Sequence, residues 1–319
     1  MSLARRRIGE TGLEVPAICF GMAPLGDMPD TYGFTTPEDE ARATIRAAFA
    51  SPFPFLDTSR NYGMGKSETR VGAVIRELEG LPADAVLSTK LDRDAENRFS
   101  RDQARRSLER SLAALNVDCV DILHVHDPEH CADPDEVTRE AIPELFAMKE
   151  EGLCTAVGLA AGNVDVMMPI IREFPFDCII THNRFTLVNR NAEAMIDLAR
   201  ERGMSVLNAA PYAGGALAKG ADEYGRYVYQ EATEAMKQPI REVEAACARH
   251  GVATGAAALG LSLGDARIAS TLVGVSSADH VERTIEWAQA EIPAALAEEL
   301  EALPVSRDDP EATRNYTLG

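Results

Sequence analysis

The chain is poor in the groups on which several large function classes depend. It has one Trp, no CxxC pair among its six cysteines, and no apolar run that reaches the roughly 18 residues of a membrane span. Cations are also short: 32 Lys and Arg face 51 Asp and Glu, a formal charge of −19 at pH 7. Such a surface repels phosphate over its whole extent, which argues against nucleic acid or anionic membrane as a main partner and leaves room only for small anions held by local dipoles. Cys19, Cys119, Cys131, Cys154, Cys178 and Cys247 lie mostly in apolar runs and are expected to be buried thiols of a reducing compartment. The basic start, Met1 to Arg7, leads into Gly9-Glu10-Thr11-Gly12 and not into an apolar segment, so no signal peptide is expected and the default location is the cytoplasm.

What remains is a composition that can bury a core, 45% hydrophobic and 26% charged over 319 residues. Residues 7–15 alternate apolar and polar about a Gly-containing turn, the pattern of a hairpin able to plug one end of a barrel. Short apolar runs follow at 17–20, 53–56, 85–88, 120–125, 156–160, 178–181, 205–209 and 271–275. Helical spacing occupies 38–49, 68–78, 101–115, 137–150, 164–173, 192–202 and 239–250. Strand then helix, repeated in this way, predicts one (β/α)8 TIM barrel domain over residues 1–319 in preference to an open doubly wound sheet. The long interval 211–267 predicts an extended loop after strand seven, and the polar tail from Pro304 is either a lid or a loose end.

Asp57, Tyr62, Lys90 and His126 each fall just after one of these runs, where a barrel of this kind places its active site. Together they make an acid–base set without a metal or a nucleophilic Ser or Cys. A free phenol is a poor proton acceptor at neutral pH; a cation such as Lys90 beside Tyr62 would bring it toward the working range. Asp57 would hold that lysine, and a neutral His126 would orient a substrate oxygen. Taken singly, each residue has an ordinary explanation: a helix cap, a surface charge, a core histidine. Together, at successive strand ends, they define a site.

Other chemistries lack a residue they need. Gly65-Lys66-Ser67 would end a phosphate loop only with a glycine at position 60, where Arg60 stands, and no GxGxxG follows a strand. His124 and His126 share one side of a strand and could bind a metal, with His182 and Asp127 in reach. The aspartate that such barrels use after strand eight is replaced by Gly274-Val275-Ser276, so no metal is expected, and His124 is read as filling the barrel one layer below.

The segment Leu56-Asp57-Thr58-Ser59-Arg60-Asn61-Tyr62-Gly63-Met64-Gly65-Lys66-Ser67-Glu68 resembles the DTAxxYGxGxSE stretch of the aldo-keto reductases, with Ser59 where Ala is common. Ser88-Thr89-Lys90 and Asp121 to His126 continue the resemblance, which runs from the hairpin to strand eight. It implies a nicotinamide dinucleotide lying across the barrel mouth against Gly21, Met22, Asp57, Ala210, Pro211, Leu217, Gly274, Ser276 and His280, with Asn163 and His182 at the nicotinamide amide. Ser276 and His280 offer no permanent cation for a 2′-phosphate, and Asp279 and Glu282 would repel one, so NAD is expected over NADP, Arg283 being the residue that could reverse this.

Asp127-Pro128-Glu129-His130 makes an acidic, hydrogen-bonding rim suited to a small polar substrate. These features look like the aldose 1-dehydrogenase branch, which includes L-fucose, D-threo-aldose and L-galactose dehydrogenases with pyridoxal 4-dehydrogenase nearby. The implied reaction oxidises a sugar's anomeric hydroxyl, or a cyclic hemiacetal such as pyridoxal, to a lactone. Competing expectations are an NADPH-dependent aldehyde or ketone reductase and a cofactor-sensing regulatory subunit. A monomer or small homo-oligomer is expected.

Overall fold

Eight short apolar strands can bury both faces only if helices cover the outside and the sheet closes on itself, and this is the arrangement found. The computed structural model describes residues 3–314. The strands are β1 Ile18–Gly21, β2 Phe55–Asp57, β3 Val86–Leu91, β4 Val120–His126, β5 Cys154–Ala161, β6 Cys178–His182, β7 Ser205–Ala209 and β8 Ile268–Gly274. They form one closed parallel barrel in sequence order, sealed where Thr271 pairs Ile18 and Gly274 pairs Gly21. All eight expected runs became strands. β3 and β4 run further than expected, so Lys90 and His126 lie within them.

The outer layer includes α1 Glu38–Ala50, α2 Lys66–Glu77, α3 Arg101–Leu115, α4 Ile142–Glu150, α5 Val164–Glu173 and α6 Glu193–Glu201. The helix expected over 137–150 is interrupted: Val137–Ala141 is a π turn before α4. Pro143 supplies the reason, because it has no N–H to continue an i→i−4 ladder. The long interval after β7 holds a small hairpin, Arg226–Tyr227 with Gln230–Glu231, then α7 Glu234–Arg249 and α8 Thr254–Gly264; after β8 come α9 Ala278–Gln289 and α10 Ala294–Ala302.

The N-terminal hairpin pairs Arg6–Arg7 with Glu14–Val15 and closes the barrel's N-terminal end as expected. Ile8 and Val15 are fully buried against Cys19, Phe55, Val86 and Ile122 inside the barrel. The Ser205 hydroxyl, at the start of β7, accepts from the Gly9 N–H and donates to the Arg7 carbonyl, both at 3.0 Å. Five cysteines are buried free thiols, whereas Cys119 is exposed in the turn before β4. Among the described residues no helix is long and apolar enough to cross a membrane.

Because the plug is at the end remote from the strand C-termini, it serves stability. Ile8→Ala is expected to cost about 2–5 kcal/mol in chemical denaturation while leaving dinucleotide affinity unchanged. A loss below about 1 kcal/mol would show that the hairpin is not part of the core.

Candidate active site

The strands bring the four expected residues to one place. Lys90 and Asp57 are almost fully buried and joined at 2.6 Å, and the Lys90 ammonium also donates to the Thr58 carbonyl at 2.7 Å. Ser88 donates to the other Asp57 oxygen at 2.9 Å. The Lys90 nitrogen is 4.7 Å from the Tyr62 ring centre, and the Tyr62 and His126 rings meet edge to face at 5.7 Å. Tyr62 owes its position to the loop after β2, where Gly63 adopts φ 61° and a Cβ would lie 1.8 Å from the Gly26 carbonyl oxygen. Only glycine lets the chain turn this close. His124 lies one layer deeper, fully buried beside Ser88 at 3.3 Å and the Cys178 sulfur at 3.5 Å, and burial pushes its pKa well down.

Two electrostatic expectations are corrected. Burial pushes the Tyr62 phenol well above its ordinary value, and Asp57, Tyr32, Asp127 and Asp92 push it further. Lys90 does not reverse this, because its charge is already matched by Asp57 at hydrogen-bond distance. His126, expected to be neutral, is biased toward the charged form. Burial alone would lower it, but Asp127 and Asp92 outweigh that and raise it above the ordinary value. Asp92 was not foreseen: its carboxylate lies 2.6 Å from His126 Nδ1 and accepts from Ser59 Oγ at 2.6 Å and the Asn61 N–H at 2.9 Å. Asp127 follows β4 with a left-handed φ of 43°, which turns its carboxylate back to 3.6 Å from His126 Nε2.

These residues open into a cavity of about 290 Å³ that extends from Tyr62 to the β8 mouth. Gly21, Asp57, His182, Ala210, Gly274, Ser276 and His280 line it, as expected of a cofactor groove. Four expected contacts do not. Met22 is packed in the core with its backbone N–H held by the Asp57 carbonyl, and Asn163 uses its side-chain oxygen to cap α5. Pro211 and Leu217, in the segment after β7, are buried away from the cavity, which Ala210 lines instead. The Ser276 hydroxyl is 3.1 Å from His280 Nδ1; burial lowers the His280 pKa, and Arg283 and Lys219 lower it further.

The β8 end has the chemistry of a dinucleotide site. Ser277 caps α9, whose N-terminus attracts anions, and the cations Lys219 and Arg283 line the same wall of an otherwise acidic protein. Lys219 lies over the Phe34 and Tyr224 rings at 5.0 and 4.3 Å, and all three line the groove. A capped helix N-terminus with Lys219 nearby suits the phosphates of a dinucleotide. Lys219 escaped notice in the sequence because it is far from residues 276–283 in the chain.

The opposite end is roofed by residues 304–314 of the tail, which are packed against the barrel and are not loose; residues 315–319 lie outside the described residues. Asn189 bridges to Ser306, and the buried Arg184 guanidinium pairs with Asp309 at 2.5 Å and Glu311 at 3.1 Å. Glu311 also meets His182 Nδ1 at 3.1 Å, so both line the cavity together with Asp127, Glu129 and Arg314. Burial works to raise the Glu311 carboxyl, but His182, Arg184 and Arg314 hold it far below the usual carboxylate range.

Fold and site together bring Asp57, Lys90 and His126 on the strands and Tyr62 in the loop after β2 to one end of a (β/α)8 barrel. The chain belongs to the aldo/keto reductase family, whose model matches residues 17–304. Members of that family work with nicotinamide cofactors. It is 32% identical to L-galactose dehydrogenase of Arabidopsis thaliana over 95% of this chain and 91% of that one. It is 29% identical to D-threo-aldose 1-dehydrogenase of a Pseudomonas species, over 94% and 97%. Its fold matches an aldo-keto reductase from Bacillus halodurans in its holo form with a TM-score of 0.78 at 20% identity, covering 98% of this chain and all of that one.

Breaking the tail's anchor tests its role. Arg184→Met takes a buried partner from Glu311, which keeps His182 and Arg314, and from the part-exposed Asp309, and should speed amide exchange over residues 306–311 at least tenfold. Glu311's depressed pKa sets the sign of the pH effect in the unmodified protein. Its contribution is complete above the unfolded value of about 4.3 and is lost as pH falls through the folded value. Unchanged exchange in Arg184→Met would show that the tail is held elsewhere.

Proposed function

We propose that the protein is an NAD-dependent aldose 1-dehydrogenase, oxidising the anomeric hydroxyl of a small neutral sugar, or an equivalent cyclic hemiacetal, to a lactone. The observation that carries this reading is the asymmetry of one continuous cavity. Cations and an α-helix N-terminus mark one end; Asp127, Glu129 and Glu311, set among His130, His182 and Arg314, mark the other. Carboxylates and imidazoles can pair with several adjacent hydroxyls, whereas a flat apolar ligand would leave them unsatisfied. The curated relatives whose names specify aldoses support the same reading.

The roles proposed for the chain's own residues follow from their positions. Tyr62 and His126 would converge on the oxygen of the reacting carbon. Lys90, held by Asp57, would sit beneath the Tyr62 ring and stabilise its phenolate, which would take the proton of the substrate hydroxyl as the hydride leaves the same carbon; in the reverse direction the phenol would return that proton. When bound, the oxidised nicotinamide supplies the hydride acceptor. A phenol raised by burial and by surrounding carboxylates is poised to donate, so oxidation should be favoured as pH rises and carbonyl reduction as pH falls.

Tyr62→Phe is expected to lower turnover by at least about 100-fold, the scale of a lost general acid–base, and to leave NAD affinity unchanged. The assay is absorbance of the reduced cofactor with L-galactose, L-fucose, D-arabinose and pyridoxal as separate substrates. Unmodified turnover in this variant would remove Tyr62 from the chemistry, and no turnover of any of the four by the wild type would count against the dehydrogenase reading.

Cofactor choice has its own test. Ser276 and the neutral-leaning His280 give a 2′-phosphate no fixed charge, which favours NAD, while Lys219 and Arg283 are close enough to compete for one. Calorimetric titration should show tighter binding of NAD⁺ than of NADP⁺. Arg283→Ala should change NAD⁺ affinity by less than about threefold, under 1 kcal/mol. Tighter NADP⁺ binding, lost in Arg283→Ala, would reverse the assignment.

A further inference from the structure

The departure at position 59 from the family's usual alanine has a structural counterpart. The Ser59 hydroxyl donates to Asp92 Oδ2 at 2.6 Å, and the same carboxylate oxygen accepts from the Asn61 N–H at 2.9 Å. Asp92 is therefore fixed from two sides, with its other oxygen 2.6 Å from His126 Nδ1. The carboxylate is 1% exposed and its backbone N–H is held by Ser107 Oγ at 2.9 Å, so it has little freedom to rotate away. Nothing in the acid–base tetrad requires an aspartate at this point.

We propose that Asp92 is a positioning residue for His126: it retains the proton on Nδ1, so that the ring gains and loses its second proton at Nε2, on the cavity side. An ionised carboxylate can only accept, and Nδ1 must therefore be the donor in both ring states. Neutral His126 then presents a lone pair to the cavity, and charged His126 presents an N–H to the substrate oxygen. Without Asp92 the neutral ring would be free to carry its proton on Nε2, and this distinction would vanish.

The groups facing the ring give the expected direction. Burial opposes the charged form; Asp127 on the β4 end and Asp92 on the β3 end favour it and outweigh burial together with Lys90, which opposes it from β3, while His126 in turn lowers His124 and His130. Arg93 is directed at the backbone, donating to the His126 carbonyl at 3.2 Å and the Asp127 carbonyl at 2.7 Å. Tyr62 meets the ring edge to face. Two carboxylates near the two ring nitrogens prevail over one ammonium that already has a partner.

The test is nitrogen NMR of ¹⁵N-histidine-labelled, cofactor-free protein, with the His126 signals assigned from His126→Asn. In the wild type the neutral ring should carry its proton on Nδ1, and Nε2 should titrate with a midpoint above the ordinary value of about 6.5. Asp92→Asn should lower that midpoint by about one unit or more and populate the Nε2–H tautomer; Asp92→Glu should restore part of the shift. A wild-type ring neutral as the Nε2–H tautomer, or a midpoint unmoved by Asp92→Asn, overturns the proposal. The wild-type tautomer decides the matter alone should the variant not fold. A role in folding only would lower the variant's melting temperature without moving tautomer or midpoint. The catalytic consequence rests on the dehydrogenase reading: the pH profile of kcat with L-galactose and NAD⁺ should shift in Asp92→Asn in step with the NMR midpoint. A failure of that reading would abolish the kinetic signal and leave the NMR result intact.

Discussion

The buried pair between Lys90 and Asp57 constrains everything around it. Two charges removed from water at the end of a barrel stabilise a fold poorly, since desolvation offsets most of their attraction. The pair is tolerated because Ser88 and the Thr58 carbonyl complete its hydrogen bonding, and because the strands that carry it cannot shift independently. Its consequence is electrostatic. Burial first holds the Tyr62 phenol above its ordinary value, and Asp57 itself, then Tyr32, Asp127 and Asp92, push it further.

The same excess of negative charge organises the cavity. At one end Asp92 and Asp127 flank His126, while Glu129 uses one oxygen to accept from the Gly162 and Asn163 N–H groups, both at 3.0 Å. At the other end Lys219 and Arg283 stand out in a protein whose net charge is −19. An anionic ligand is thus drawn to one mouth of the groove and repelled from the other.

The sequence made the barrel and the tetrad legible for a physical reason: strand ends are local features, and each tetrad residue sits within a few positions of one. Asp92 was equally local, two residues beyond Lys90, but an aspartate at a strand end looks like any other loop carboxylate until Ser59 and His126 are seen to enclose it. Arg184 and Glu311 are 127 residues apart, and Lys219 reaches the groove over aromatic rings drawn from two loops. No periodicity records contacts of that range. Asn163 failed as a cavity residue for the opposite reason: a helix cap is a local demand, and it claimed the side chain first.

Strain collects where these long-range contacts meet. Ala210 and Ala213 in the loop after β7 have φ of 53° and 52°, and Val228 and Tyr229 in the small hairpin have 47° and 66°. A left-handed valine is costly, and it survives only where surrounding contacts overdetermine it. Here the Val228 N–H is bonded to the Ala213 carbonyl at 3.1 Å, so the two left-handed segments lie back to back. Gly214 between them has no room for a side chain, since a Cβ would come within 2.9 Å of the Val228 backbone. Tyr229 is thereby presented to the cavity, edge to face with Tyr32 and beneath the Arg314 guanidinium from the tail. Three segments distant in sequence thus share one tyrosine on the cavity wall. The barrel holds Asp57, Lys90 and His126 on its strands; the shape of the space above them is decided by loops held in conformations they would not adopt alone.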